Sequence, residues 1–274
     1  MIGARHVLPG FLFAALVALP AAAQDASVGV LSGTLKKIKD TGTITLGYRE
    51  SSLPFSYLNK RQQPIGYSID LCREIVEEAA TELDGMDIKI ALAPVTAADR
   101  LDKVKTGAVD LECGSTTSNL QRQKEVAFSP VFFVAGTTNV AALRTLSDKQ
   151  KLGIAIVTAR DHAQSLAMLV AGKADAFATD DALLYGFIAT EPSAHDMKVV
   201  GDYLSYDPYG LAFRRDDQSF AATVERAFAR MASERRLEEL YNKWFLRRLP
   251  TGETLNLPMS PQLAEIFRVL GAPD

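Results

Sequence analysis

The chain has 274 residues, 47% of them apolar and 23% charged, an ordinary mix that excludes a disordered or collagen-like polypeptide. Thirty Lys and Arg against thirty-three Asp and Glu leave a formal charge of −3, so the basic surplus that a phosphate backbone demands is missing and nucleic acid is not expected as a partner. Two cysteines, Cys72 and Cys113, are too few for a disulfide-dense miniature, and no Cys/His spacing suggests zinc, so a packed core must carry the stability.

Residues 1–23 join Arg5 and His6 to an apolar stretch from Val7 to Leu19 and an Ala-x-Ala site at Ala21 and Ala23. This is the pattern of a signal peptide cut before Gln24, since the stretch is interrupted by Pro9 and Gly10 and is short for a bilayer. The mature protein is expected to be soluble outside the cytoplasm. There Cys72 and Cys113 either join in a disulfide or stay as buried thiols.

Hydrophobic periodicity then predicts a helix over Gly33–Thr41, a strand over Thr43–Arg49, a helix over Leu71–Leu83 and a strand over Asp87–Leu92. A helix over Ala97–Thr106, a strand over Val109–Glu112, a helix over Ser118–Lys124 and a strand over Val131–Val134 follow. Next come helices over Asn139–Gln150, His162–Ala171 and Asp181–Thr190, with strands over Leu152–Val157 and Ala174–Ala178 between them. Strands near Val199 and over Tyr209–Phe213 precede a long helix over Gln218–Phe245, whose Arg and Glu residues read as a solvated face of i, i+4 pairs. Strands spaced by helices along the whole length indicate α/β lobes with largely parallel sheets.

Polar residues gather where such strands end, and open α/β sheets place ligands at those ends. The clusters are Arg49-Glu50-Ser51-Ser52, then Arg100, then Gly114 to Arg122, and finally Asp161-His162 with Thr179-Asp180-Asp181. Hydroxyls and free N–H groups at a helix start cradle anions, and Arg122 adds a two-pronged clamp for a carboxylate. Three arginines, hydroxyls and an acidic group without an evident nucleophile and base suit a ligand with two negative groups and one positive group, such as an acidic amino acid.

GYRESSLPFSY (47–57), GYSIDLC (66–72), ECGSTTSNLQRQ (112–123), RDHAQSL (160–166), ATDDALL (178–184) and YNKWF (241–245) resemble the periplasmic glutamate/aspartate-binding proteins of ABC importers, within the family 3 solute-binding proteins. The resemblance runs from about Thr34 to the C-terminus. It implies an α/β, two-lobed periplasmic-binding-protein fold (type II) that closes on its ligand by hinge motion. Residues 1–23 would be the signal peptide, 24–137 the first part of lobe 1, 138–203 lobe 2, and 204–274 the return to lobe 1. Arg122, Thr117 and Thr138 would hold the α-carboxylate, and Asp180 and Ser115 the α-ammonium. Arg49, Arg100 and His162 would surround the side-chain carboxylate, with Ser51 beside them. No cofactor, metal or catalysis is implied. The expected partners are L-glutamate or L-aspartate and an inner-membrane permease, for a monomer in the periplasm.

Two features depart from that pattern. Ala97 stands where the family usually has a serine, three residues before Arg100. VFFVAGT (131–137) runs directly into TNVAALRTL (138–146), without the linker and first lobe-2 strand that the family carries between them. Either Val131–Val134 substitutes for the lost strand, or it remains the hinge and lobe 2 is thin; both predict a shortened, looser second lobe. Two other functions stand beside capture for import. One is a dehydratase of prephenate-like acids with His162 or a carboxylate as acid or base, and the other is a binding-impaired relic.

Overall fold

The structure is a computed structural model that describes residues 31–137, 140–201 and 205–272. The signal-peptide segment 1–23, Thr138 and the lobe boundary at Tyr203 lie outside the described residues.

In chain order the elements are α1 (Gly33–Thr41), β1 (Thr43–Tyr48), β2 (Ser51–Ser52), β3 (Ser56–Leu58), β4 (Pro64–Ile65), α2 (Tyr67–Glu82), β5 (Lys89–Pro94), α3 (Arg100–Lys105), β6 (Leu111–Cys113), β7 (Val126–Phe128) and β8 (Phe133–Thr137). They continue with α4 (Val140–Gln150), α5 (His162–Val170), α6 (Asp181–Thr190), β9 (Ser205–Tyr209), β10 (Ala212–Arg214), α7 (Gln218–Ser233), α8 (Arg236–Tyr241) and α9 (Pro261–Leu270). The main sheet has the order β5-β1-β6-β10-β7. β1 is parallel to both β5 and β6, whereas β10 is antiparallel to β6 and β7, so the sheet is mixed rather than largely parallel as expected. Ile44 and Leu46, two residues apart on one face of β1, are fully buried where α1 and α2 pack on the strand, and α7 packs on both helices.

Local chemistry explains the starts and stops. In α1, Leu35 and Ile38 point inward three residues apart, and Gly42 closes the helix with a left-handed φ of 67°. Asp217 accepts from the Thr34 N–H at 2.7 Å and also from the Phe220 N–H, so one carboxylate caps α1 and α7 together. The cysteines form the disulfide Cys72–Cys113, joining α2 to β6.

Several expectations need correcting. The helix expected over Gln218–Phe245 breaks at Arg235, whose φ of 59° is left-handed, and the short α8 with a wide turn over Asn242–Leu246 continues beyond it. Its arginines do not form a solvated face alone: Arg230 reaches Glu78 at 3.0 Å and Arg236 reaches Glu74 at 2.7 Å, both on α2. Of the helix expected over Ser118–Lys124 only a short 3-10 turn, Arg122–Lys124, forms. The strands expected over Leu152–Val157, over Ala174–Ala178 and near Val199 do not form. A strand exists only by pairing, and β8 pairs with β9 while no strand lies among the described residues between them. Leu152, Ile154 and Val157 accordingly remain 51%, 43% and 69% exposed. Within this stretch Leu166, Phe187 and Ala194 form a small cluster with Phe177 and Met197, while Ala182 and Leu183 of α6 pack into the main core.

Candidate functional site

Because β1, β5 and β6 run parallel, their carboxyl ends lie along one edge of the sheet, and the chain leaves each strand there. Arg49 follows β1, Arg100 opens α3 after β5, and Gly114 to Thr117 follow β6. Arg49 is 2% exposed, is steadied by a 2.9 Å bond from its N–H to Ser56 Oγ, and leaves its Nη2 without a partner. Arg100 is buried too, with Nη1 donating to the Ser115 carbonyl at 3.3 Å.

The second half of the site comes from the stretch between β8 and β9. Gly186 of α6 packs so closely on Leu53 that a Cβ would stand 2.8 Å from the Leu53 carbonyl oxygen, which only glycine allows. His162, first residue of α5, meets Ser52 with Nδ1 at 3.2 Å from the hydroxyl oxygen. Asp180 stands immediately before α6 and accepts a short hydrogen bond from the Tyr209 hydroxyl. Arg122 donates to the Thr117 carbonyl at 2.9 Å, while the Thr117 hydroxyl donates to Asp207 at 3.3 Å.

Electrostatic coupling shows how close these groups stand. Burial, and then repulsion from Arg100, push the Arg49 guanidinium down to about 10. Arg122 is lowered by burial and again by Arg100, with Glu112, Asp207 and Asp180 opposing the shift. Burial, followed by Arg49 and Arg100, pushes His162 down to about 4, so its ring is neutral at pH 7 and offers one donor and one acceptor. A set of cations coupled to a neutral imidazole is chemically suited to carboxylates, and no cluster of metal-ligating side chains occurs among the described residues.

Of the predicted site residues, Arg49, Arg100, Arg122, His162 and Asp180 therefore converge. Ser115 is buried and joins through its backbone, Thr117 joins through both backbone and side chain, and Ser51 makes a backbone hydrogen bond with His162. Thr138 lies outside the described residues. Sequence reasoning placed Ser52 in the first polar cluster without a role and missed Glu112, Asp207 and Tyr209. Glu112 carried a readable signal, a carboxylate inside an apolar strand; Asp207 and Tyr209 carried none, because only the pairing of β9 with β8 brings them here. An apolar cavity of about 350 Å³ beside Leu166, Val170 and Phe187 has Glu191 as its one charged lining residue and so does not suit a carboxylate.

Residues 44–247 match the profile of bacterial extracellular solute-binding proteins, family 3. The chain is 38% identical to an L-glutamate/L-aspartate-binding protein of Pseudomonas aeruginosa, covering 96% of this chain and 95% of that one. It is 34% identical to the glutamate/aspartate import solute-binding protein of Escherichia coli K12, with 96% of each covered. Among solved structures, a mutant of ArgBP from T. maritima superposes with a TM-score of 0.66 at 21% identity, over 78% of this chain and 99% of that one. An ancestral amino acid-binding protein described as a precursor of cyclohexadienyl dehydratase gives 0.64 at 24% identity, over 77% and 99%. These two likenesses bear on the fold alone, a type II periplasmic-binding-protein fold.

Proposed function

This chain belongs to the bacterial extracellular solute-binding proteins of family 3, and from that membership we propose that it captures L-glutamate or L-aspartate in the periplasm and delivers it to an inner-membrane ABC permease. It is a binding protein and not an enzyme; the dehydratase reading falls away because the relatives at 34–38% identity over nearly the full chain are binding proteins. The cleavable signal peptide at 1–23 and a monomeric state go with this reading.

The observation that carries the ligand class is the buried Arg49 guanidinium, one arm unpaired, beside Arg100. Glu112 is the one fully buried carboxylate acting on these two cations, so a second buried cation stays costly unless another anion joins it, and the ligand's side-chain carboxylate supplies that anion. In this arrangement Arg49, Arg100, His162 and Ser51 surround the side-chain carboxylate. Arg122, Thr117 and Thr138 take the α-carboxylate, and Asp180, held by Tyr209, takes the ammonium together with Ser115. β8 and β9 are the crossing strands, with lobe 2 between them and the two stretches 24–137 and 204–274 making lobe 1.

The same reading includes a shortened lobe 2. The match to the Pseudomonas protein runs over 293 aligned positions, more than this chain's 274 residues, so that relative has residues this chain lacks. The absence of strands among the described residues between β8 and β9 supports placing the loss there.

Isothermal titration of the mature protein tests the proposal. L-glutamate or L-aspartate is expected to bind at least about tenfold more tightly than L-glutamine, a difference of about 1.4 kcal/mol. No heat with either acidic amino acid overturns it and leaves the binding-impaired relic.

A further inference from the structure

Glu112 lies outside the ligand set above, is fully buried, and faces three guanidinium groups. Its Oε1 stands 4.0 Å from Arg100 Nη1 and has no hydrogen-bond partner, while its Oε2 accepts from the Thr116 hydroxyl at 2.7 Å. The carboxylate curls back over Gly114, where a Cβ would collide with Oε1 and stand 3.0 Å from Arg49 Cγ, so glycine at 114 lets the acid and the arginine stem share one space. On the other side Arg49 Nη2 is equally buried and unpaired.

We propose that Glu112 is a positioning residue, a fixed counter-charge that keeps the mutually repelling Arg49 and Arg100 side by side while the cleft is empty. Buried like charges disperse or lose a proton unless an opposite charge stands within a few ångströms. The charged groups facing Arg49 are Arg100 and Asp99 from the α3 side, Glu112 from β6, and Asp161 from the start of α5, with the neutral His162 ring next to it. Glu112 alone among these carboxylates is fully buried and hydrogen-bonded within β6 and its following turn. It is therefore the one that water screens least. Only the affinity readout below rests on the proposed ligand class.

The test is the titration of Arg49, followed by 13Cζ NMR of the arginine guanidinium groups in the ligand-free protein. Glu112→Gln is expected to lower the Arg49 midpoint by about one pH unit or more, and Thr116→Val, which frees the carboxylate without removing it, by less. Calorimetry with L-glutamate between pH 7 and 10 is expected to show the alkaline loss of affinity starting correspondingly earlier in Glu112→Gln than in the parent, with the ligand's own amine titrating identically in both. A merely structural role lowers affinity evenly across pH and leaves the midpoint in place, and that result overturns the proposal. If Glu112→Gln does not fold, Thr116→Val decides alone, an unchanged Arg49 midpoint counting against the proposal. A parent protein that binds no acidic amino acid while the midpoint still moves refutes the ligand class and supports the role of Glu112.

Discussion

His162 shows how far neighbours, rather than residue type, decide a side chain's chemistry. Its ordinary pKa of 6.5 is pushed to about 4 by burial and by Arg49 and Arg100. The unfolded chain therefore binds a proton between these values that the folded protein refuses. Stability is complete above about pH 6.5 and is lost progressively as pH falls toward about 4. His162→Gln is expected to flatten this part of the curve, checked by urea melts at three pH values spanning it; parallel curves for the two proteins refute the assignment. Arg122 lends itself to a simpler experiment. Arg122→Ala leaves a carboxylate unpaired in a closed cleft and is expected to cost about 3–5 kcal/mol of binding, so a change below tenfold in calorimetry rejects its role. These residues were legible in the sequence because charged and hydroxyl residues gather just past apolar runs. Asp207 and Tyr209 were not, since their roles come from partners 29 to 90 positions away in the chain.

At the scale of elements, helices with their own signals were readable. α1 and α6 span Gly33–Thr41 and Asp181–Thr190 as the periodicity predicts, because apolar spacing acts within a few residues. Strands were readable only where a partner exists. Thr43–Tyr48 finds β5 and β6 on its two sides, whereas Leu152–Val157, with an equally strand-like composition, finds none and stays in solvent. The pairing of the cysteines was likewise open until α2 was seen to lie against β6. That disulfide closes a separation of 41 residues, which loop entropy values at about 4 kcal/mol. Reductant is expected to lower the melting temperature by roughly 10 °C in differential scanning calorimetry. An unchanged transition means that the bond constrains nothing that unfolding releases.

For the molecule as a whole, apolar burial is uneven. The large cluster built on β1, α2, α7 and α8 includes Phe55, Tyr67, Phe133, Tyr209 and Phe245, whose rings pack edge-to-face or stacked. Among the described residues between β8 and β9, Ala182 and Leu183 join that large cluster and a smaller one forms around Leu166 and Phe187, while Val140, Leu152, Ile154, Val157 and Val200 are exposed. Amides in 140–200 are expected to exchange with deuterium well before those of β1, β5 and β6, and to slow when an acidic amino acid is added. Uniform protection across both regions contradicts the looser lobe. The sequence by itself determined the α/β class and the arginines, because these follow from local periodicity and from side-chain chemistry placed at strand ends, and it determined the family through the resemblance of its motifs. Tertiary structure alone decided which apolar runs become strands, that Cys72 meets Cys113, and that Glu112 stands among the arginines. Each of these depends on a partner distant in the chain, and local composition does not encode where that partner arrives.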